Sequence, residues 1–361
     1  MRFFNIDCHV SVIGDIAHIF NNLGHQVDDW SLSGHSWVLN KPKGEIVLND
    51  GTRLLGGGVS TQENCDKFYN TFKDEFDKYD GFICCYPVEF ALLFERWDKP
   101  IIVVNCVRYE HPNTRDTEMW ARLDSFLKRH LEKGKLFYVC NNKGDQWYTE
   151  YYTGIKGEWI PSLCEYTNCQ YVGDEKLSLI AERSYIEGIG QDLAIIISRL
   201  KNREWRLDWK DVYRYQSVIH VAYHNGSMSI FEHYTANMPM FMPSKEFGKF
   251  LYREGKMFDD ITFYKINKME EPEDINNPNS LRNPEILDRW FDTCDFYDPE
   301  NMPHIIYFDS FPDLREKLSA FKNNDYQNIS KNMKQYNESF RIPMVYNKWR
   351  EILNKLESTI L

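Results

Sequence analysis

Nothing in the 361 residues is apolar for the length that a bilayer crossing demands, and Met1 to Ile6 run straight into a candidate strand without the charged and apolar regions of a secretory leader. Membrane contact, on this reading, is peripheral. An excess of basic charge is missing as well: the net charge is −11, which excludes a nucleic-acid partner because affinity for phosphate backbones needs a basic face. Arg199, Lys201, Arg203 and Arg206 gather at one predicted helix end as a solvated cluster. Paired metal-ligand spacing is absent from the nine cysteines, and the adjacent Cys84 and Cys85 cannot both serve one tetrahedral site. Reduced thiols and a cytoplasmic location are expected. No Asp-x-Asp stands ready for a divalent ion, since Asp77 to Asp80 and Asp295 to Asp298 are spaced otherwise. Gly56, Gly57 and Gly58 lack the following Lys-Ser or Lys-Thr of a nucleoside-triphosphate loop and read as a turn or lid. Repeats and low-complexity segments are also lacking.

What is present is a globular composition, 42% hydrophobic and 27% charged, in a length that suits two domains. Aromatic residues make up 15% of the chain, and such side chains fill cores or line sugar- and base-binding clefts. Arg2 to Cys8 predicts a strand and Ser11 to Leu23 a helix, with Ile13, Ile16, Ile19 and Phe20 on its apolar face. Gly24 stops it and His25 to Leu32 begins the next strand, so the chain opens as a βαβ unit. Tyr79 to Tyr86 and Pro100 to Val107 read as buried strands joined by a helix from Val88 to Trp97. A helix from Met119 to Lys133 and a strand from Lys135 to Cys140 follow. Trp147 to Tyr166, broken by Gly154, Gly157 and Pro161, has neither period, and the hinge between domains is placed there or just after. Beyond it come a strand from Leu177 to Ala181, a loop from Arg183 to Gly190 and a helix from Asp192 to Leu200. Lys265 to Asn283 is a surface loop, His304 to Asp309 a strand, Leu314 to Phe321 a helix, and Asn324 to Leu356 a helix interrupted at Pro343. Strands alternating with helices predict parallel α/β architecture.

The most informative stretch is Val218 to Pro243. Val218 to Tyr223 has the short apolar, β-branched character of a buried parallel strand. Turn chemistry at His224, Asn225, Gly226 and Ser227 breaks it, and a helix begins near Ser229 and stops at Asn237, a residue that tolerates left-handed backbone. Met240 to Pro243 reads as the next strand. A helix N-terminus at the carboxyl end of a parallel strand suits a phosphate, because free amides and the positive end of the helix dipole meet there.

The run His224, Asn225, Gly226, Ser227, Met228, Ser229, Ile230, Phe231, Glu232, with Asn237, Met238 and Pro239 beyond it, resembles the donor-binding signature of GT-B glycosyltransferases, Leloir-type enzymes that use nucleotide sugars. Asn237 departs from the glycine usual there. The resemblance implies two Rossmann-like domains facing across a cleft: an acceptor domain of residues 1–165 joined by the C-terminal helix 340–361 crossing back, and a donor domain of residues 166–339. Trp349, Ile352 and Leu356 would dock that helix. It implies that the amides of Gly226 to Ser229 and the Ser229 hydroxyl hold the diphosphate, with His224 and Asn225 beside it and Glu232 accepting from the ribose hydroxyls. Arg183 is a further phosphate candidate, and Trp205 or Trp209 a base-stacking one. The phrase Leu23, Gly24, His25, Gln26, Val27 is similar to the turn that leaves the first helix of such acceptor domains. In them the catalytic base comes from the loop after the first strand, which here offers Asp7 and His9, acting singly or as a pair; His35 is a weaker candidate, and Arg108 and Tyr109 would bind the acceptor. The implied activity is glycan biosynthesis by transfer from a UDP- or GDP-sugar to a hydroxyl, inverting, with no bound cofactor or metal. A nucleotide-sugar epimerase on the same fold and a noncatalytic carbohydrate-binding scaffold are the alternatives.

Overall fold

A computed structural model of the chain describes residues 1–54, 60–112, 116–197, 208–258 and 272–360. The Gly56 to Gly58 turn, the 198–207 basic cluster with Trp205, and part of the expected surface loop lie outside the described residues. The chain divides into two compact units, Met1–Ser162 with Met344–Leu361, and Leu163–Pro343. Each is built on its own parallel sheet.

In the first unit β1 (Arg2–Asp7), α1 (Val10–Asn22) and β2 (Gln26–Ser31) open the chain as a βαβ unit. The short antiparallel strands β3 (Ile46–Val47) and β4 (Arg53–Leu54) precede α2 (Gln62–Phe76). Then come β5 (Gly81–Cys84), β6 (Ile101–Asn105), α3 (Thr117–Glu132), β7 (Leu136–Cys140), α4 (Lys143–Thr153) and β8 (Glu158–Trp159). The sheet has six strands in the order β2-β1-β5-β6-β7-β8, every pair parallel. Its core is aromatic: Phe82 stacks on Phe94 at 4.1 Å and Phe4 meets Phe76 at 4.4 Å. Such pairs add about 1 kcal/mol each beyond the area they bury.

Val88 to Phe94 forms a 3-10 helix in place of the expected α-helix. All seven of its residues are buried, so no polar face exists to favour the longer α-helical turn. Lys143 to Thr153 is helical where no period was legible, because Trp147, Tyr148, Thr149 and Thr153 bury a mixed aromatic and polar face. Asn142 caps its start, and Gly154, left-handed at φ 72, ends it.

The second unit carries β9 (Glu175–Ile180), β10 (Ala194–Ile196), α5 (Trp209–Val212), β11 (Tyr215–Ile219), α6 (Met228–Thr235), β12 (Met240–Pro243) and α7 (Lys245–Arg253). After α8 (Pro284–Asp292) come β13 (Ile306–Phe308), α9 (Phe311–Ala320) and α10 (Asn323–Tyr336). Five parallel strands lie in the order β10-β9-β11-β12-β13. The expected helix at Asp192 is instead the strand Ala194–Ile196 paired to β9, and its two isoleucines, branched at Cβ, explain why. Tyr215 to Ile219, starting three residues earlier than expected, is the strand before the His224 loop.

The helical run is interrupted just ahead of Pro343, as expected: a π-helical turn, Asn337–Arg341, joins α10 to α11 (Ile342–Ile360), whose first turn holds Pro343. Trp349, Ile352 and Leu356 are buried within the first unit, Trp349 edge-on to Phe20 at 5.2 Å. No helix among the described residues is long and apolar enough to cross a membrane.

Candidate functional site

In each sheet the chain runs one way from its first strand and then returns to that strand's other side. β9 pairs with β10 on one flank and β11 on the other, as β1 does with β2 and β5. The loops leaving β9 and β11 therefore open a crevice at a topological switch point, where open α/β sheets bind ligands. The His224 loop leaves β11 and faces it. The loop leaving β9 is tied to it: Ser184 Oγ accepts the Val221 amide at 2.9 Å, and exposed Arg183, left-handed at φ 64, lies over the Tyr223 ring at 4.7 Å.

Within the His224 loop one expected phosphate contact, the Gly226 amide, is already used. The Gly226 amide donates to His224 Nδ1 at 2.9 Å, and the Ser227 hydroxyl donates to the His224 carbonyl at 2.9 Å. Gly226 and Ser227 thus shape the turn, and the predicted diphosphate role passes to the first turn of α6, whose N-cap Ser227 makes no side-chain cap bond. Met228 and half-buried Ser229 occupy that turn, while His224 and Asn225 are buried beside it. Since Nδ1 of His224 accepts, the neutral ring carries its proton on Nε2 and acts there as a donor.

Glu232 is buried in the second turn, and its Oε1 accepts the Tyr166 hydroxyl. Asn237 is left-handed at φ 64, as its place at the helix end predicts. Its side chain accepts from Asn337 Nδ2 at 2.8 Å and donates to Gln170 at 2.7 Å, which is why an amide stands where glycine is usual. Trp209 starts α5, before β11, and stacks on Tyr213 at 5.9 Å. That is the amino end of β11, opposite the His224 loop. The base-stacking expectation for Trp209 is corrected accordingly: its ring is taken up in packing.

At the first sheet's switch point, Asp7 ends β1 with no exposed surface. One carboxylate oxygen accepts the His9 amide at 2.5 Å and the other the Tyr86 amide at 3.0 Å. Burial pushes the carboxyl up to about 7 against the pull of those bonds. The expected pairing of this carboxylate with the His9 imidazole is not formed: His9 Nδ1 makes no hydrogen bond, and the two Asp7 oxygens accept backbone amides from two loops. His9 is half-buried with Nδ1 shut from water and unpartnered, and burial pushes its ring down to about 4, with His35 adding to the effect. The ring is therefore neutral. His35 is exposed nearby.

Arg108 and Tyr109 were expected to meet an acceptor on the cleft face. Both are buried, with Glu110, and Tyr109 turns its hydroxyl to Asp124 on α3. Glu110 accepts the Tyr148 hydroxyl at 2.5 Å, and burial pushes its carboxyl up to about 7. Tyr109 is corrected to a packing residue. Sequence reasoning missed Tyr86 and His111, whose hydroxyl and Nδ1 lie 2.8 Å apart on the same rim, and Tyr166. Tyr86 was legible as the end of a strand, whereas the partner of Tyr166 lies 66 residues away and leaves no local pattern.

No known protein family matches the chain by sequence, and no curated protein does. Solved structures similar to it include UGT73P12 of Glycyrrhiza uralensis complexed with glycyrrhetinic acid 3-O-monoglucuronide, at 8% identity over 99% of this chain and 96% of that one, TM-score 0.47. The glycotransferase of kitacinnamycin is 11% identical over 98% and 99%, TM-score 0.43. The spinosyn rhamnosyltransferase SpnG complexed with thymidine diphosphate is 9% identical over 93% and 95%, TM-score 0.37. At such values the likeness assigns no residue and no activity. The chain's own strand order makes it an α/β protein of two Rossmann-like parallel sheets.

Proposed function

We propose that this chain is a glycosyltransferase that moves a sugar from a nucleoside-diphosphate sugar to a hydroxyl of a glycan or other acceptor, with inversion and without a bound metal. The observation that carries the reading is the position of the His224 to Glu232 motif: its turn and the first turn of α6 stand at the carboxyl end of β11, at the switch point of the second sheet. There the Met228 and Ser229 amides and the Ser229 hydroxyl hold the diphosphate, His224 donates to it through Nε2, and Arg183 offers a guanidinium fork. Residues 166–339 are the donor domain in this reading, and the first unit binds the acceptor.

The reaction is an in-line displacement. The acceptor oxygen forms a bond to the anomeric carbon as the bond to the diphosphate oxygen breaks, and the hydroxyl proton passes to the His9 imidazole. The helix dipole stabilises the negative charge that gathers on the departing diphosphate. His9 takes precedence over Asp7, which is fully buried while His9 keeps some exposed surface. The cytoplasm is the proposed location.

A thermal-shift panel of UDP-, GDP-, dTDP- and CMP-sugars tests the proposal. Stabilisation by one nucleotide class, lost in Glu232→Ala, is the expected outcome; no shift with any of them would remove the reading. Incubation with the stabilising nucleotide sugar alone separates transferase from epimerase, since a new nucleotide sugar marks an epimerase. A scaffold would bind no nucleoside diphosphate.

A further inference from the structure

The segment that opens the second unit runs along the whole length of α6. Cys164 Sγ donates to the Met228 carbonyl at 4.0 Å, the Tyr166 hydroxyl donates to Glu232 Oε1, the Tyr171 amide donates to the Ala236 carbonyl at 2.9 Å, and Asn237 donates to Gln170. Left-handed Cys164 and Asn168, at φ 60 and 48, bracket the short 3-10 turn Glu165–Thr167 that carries Tyr166. Behind them Tyr213 donates to the Glu232 carbonyl at 3.1 Å and bonds Thr167 as well. The backbone bearing Tyr166 is therefore fixed at both ends and from behind.

A glutamate has several freely rotating bonds, and a carboxylate that must meet a diol loses affinity unless something holds its plane. From the strap, Tyr166 bonds the buried Glu232 carboxylate. We propose that Tyr166 is a positioning residue of the nucleotide site: its hydroxyl takes one lone pair of Glu232 Oε1 and turns the carboxylate so that its other lone pairs accept from the 2′- and 3′-hydroxyls of a ribose. This rests on the donor-site reading above and adds to it a residue outside the motif. It makes recognition of the sugar ring of the nucleotide depend on the strap as well as on the helix.

Calorimetric titration with UDP, GDP, ADP and CDP identifies the ribonucleoside diphosphate that binds best, which is then compared with its 2′,3′-dideoxy counterpart. Four proteins are titrated: wild type, Tyr166→Phe, Glu232→Gln and the double variant. Tyr166→Phe should weaken the ribonucleotide about tenfold, leave the dideoxy nucleotide unchanged, and add nothing in the Glu232→Gln background. Equal weakening of both nucleotides would reduce Tyr166 to a packing role, and unchanged or tighter ribonucleotide binding would overturn the inference. Glu232→Gln discriminating less while Tyr166→Phe behaves as wild type removes this inference alone. Binding of dTDP, titrated beside the four, in place of all of them removes this inference alone, and Glu232→Gln indistinguishable from wild type, or no binding of the four or of dTDP, removes the donor-site reading and the inference with it.

Discussion

Two histidines with opposite hydrogen-bond polarity divide the chemistry. His224 has its Nδ1 committed to the Gly226 amide and can only donate from Nε2, whereas His9 has a neutral ring with an unpartnered Nδ1. Replacing His224 by alanine should raise the donor dissociation constant, while His9→Ala should lower turnover by about two to four orders of magnitude with donor affinity kept. Steady-state kinetics beside calorimetry distinguish the two; full turnover in His9→Ala would move the base to His35 or His111. Asp7→Asn is a stability variant by contrast. An amide cannot accept with both atoms, so the substitution should cost roughly 1 to 3 kcal/mol in urea denaturation. Intact stability with lost turnover would restore Asp7 as the base.

The same buried groups set the pH response. Asp7 and Glu110, raised to about 7, hold protons in the folded state that the unfolded chain has released, so their contribution falls as pH rises from about 4 to 7. His9 and His111, lowered to about 4, His233, lowered to about 3, and His220, lowered well below its ordinary range by burial and by His233, act the other way. For these the unfolded chain binds protons that the folded one refuses, and stability rises with pH until the ordinary histidine range is passed. Four imidazoles outweigh two carboxyls, so urea midpoints should climb from pH 4.5 to 6.5 and level or dip slightly above it. A profile that falls across the lower window would contradict the assignment.

At the scale of elements, the end of α6 shows how a single residue serves backbone and side chain together. Asn237→Gly keeps the left-handed turn and loses the bonds to Gln170 and Asn337; Asn237→Ala loses both. Alanine should therefore be less stable than glycine by about 1 kcal/mol in urea denaturation, since L residues pay that much or more for left-handed backbone. Equal stabilities would mean that the turn relaxes. The left-handed end at Asn237 was legible because few residues accept that conformation, and β12 because an apolar run bounded by proline has little else to be. Helix α4 was not legible, since Trp147 and Tyr148 bury a face that mixes polarity, nor was β10, where three residues cannot establish a period. In the site, the motif from His224 to Glu232 was readable as spacing. Which of its amides were already taken was not, because that depends on how the turn closes on itself. The burial of Tyr109 and the position of Trp209 depend on α3 and on the direction of β11, and sequence-local reasoning sees neither.

For the molecule as a whole, the second unit is one continuous piece of chain, Leu163–Pro343, and the first is assembled from two pieces. A protein of residues 163–343 should fold alone, with dispersed amide resonances and a cooperative melt, whereas removing residues 344–361 should leave Phe20 without Trp349 and destabilise the remainder of the first unit. An unfolded 163–343 fragment would show that the second unit needs the first. The arrangement of the pieces also bears on synthesis. A ribosome makes the sheet of the first unit before the second unit, yet the helix carrying Trp349 emerges after it, so the first unit is begun before its neighbour and finished after it. In between, the nascent first unit waits with an aromatic face uncovered while its neighbour completes its own core, and the interval in which a chaperone would find something to hold is the time taken to translate the intervening unit.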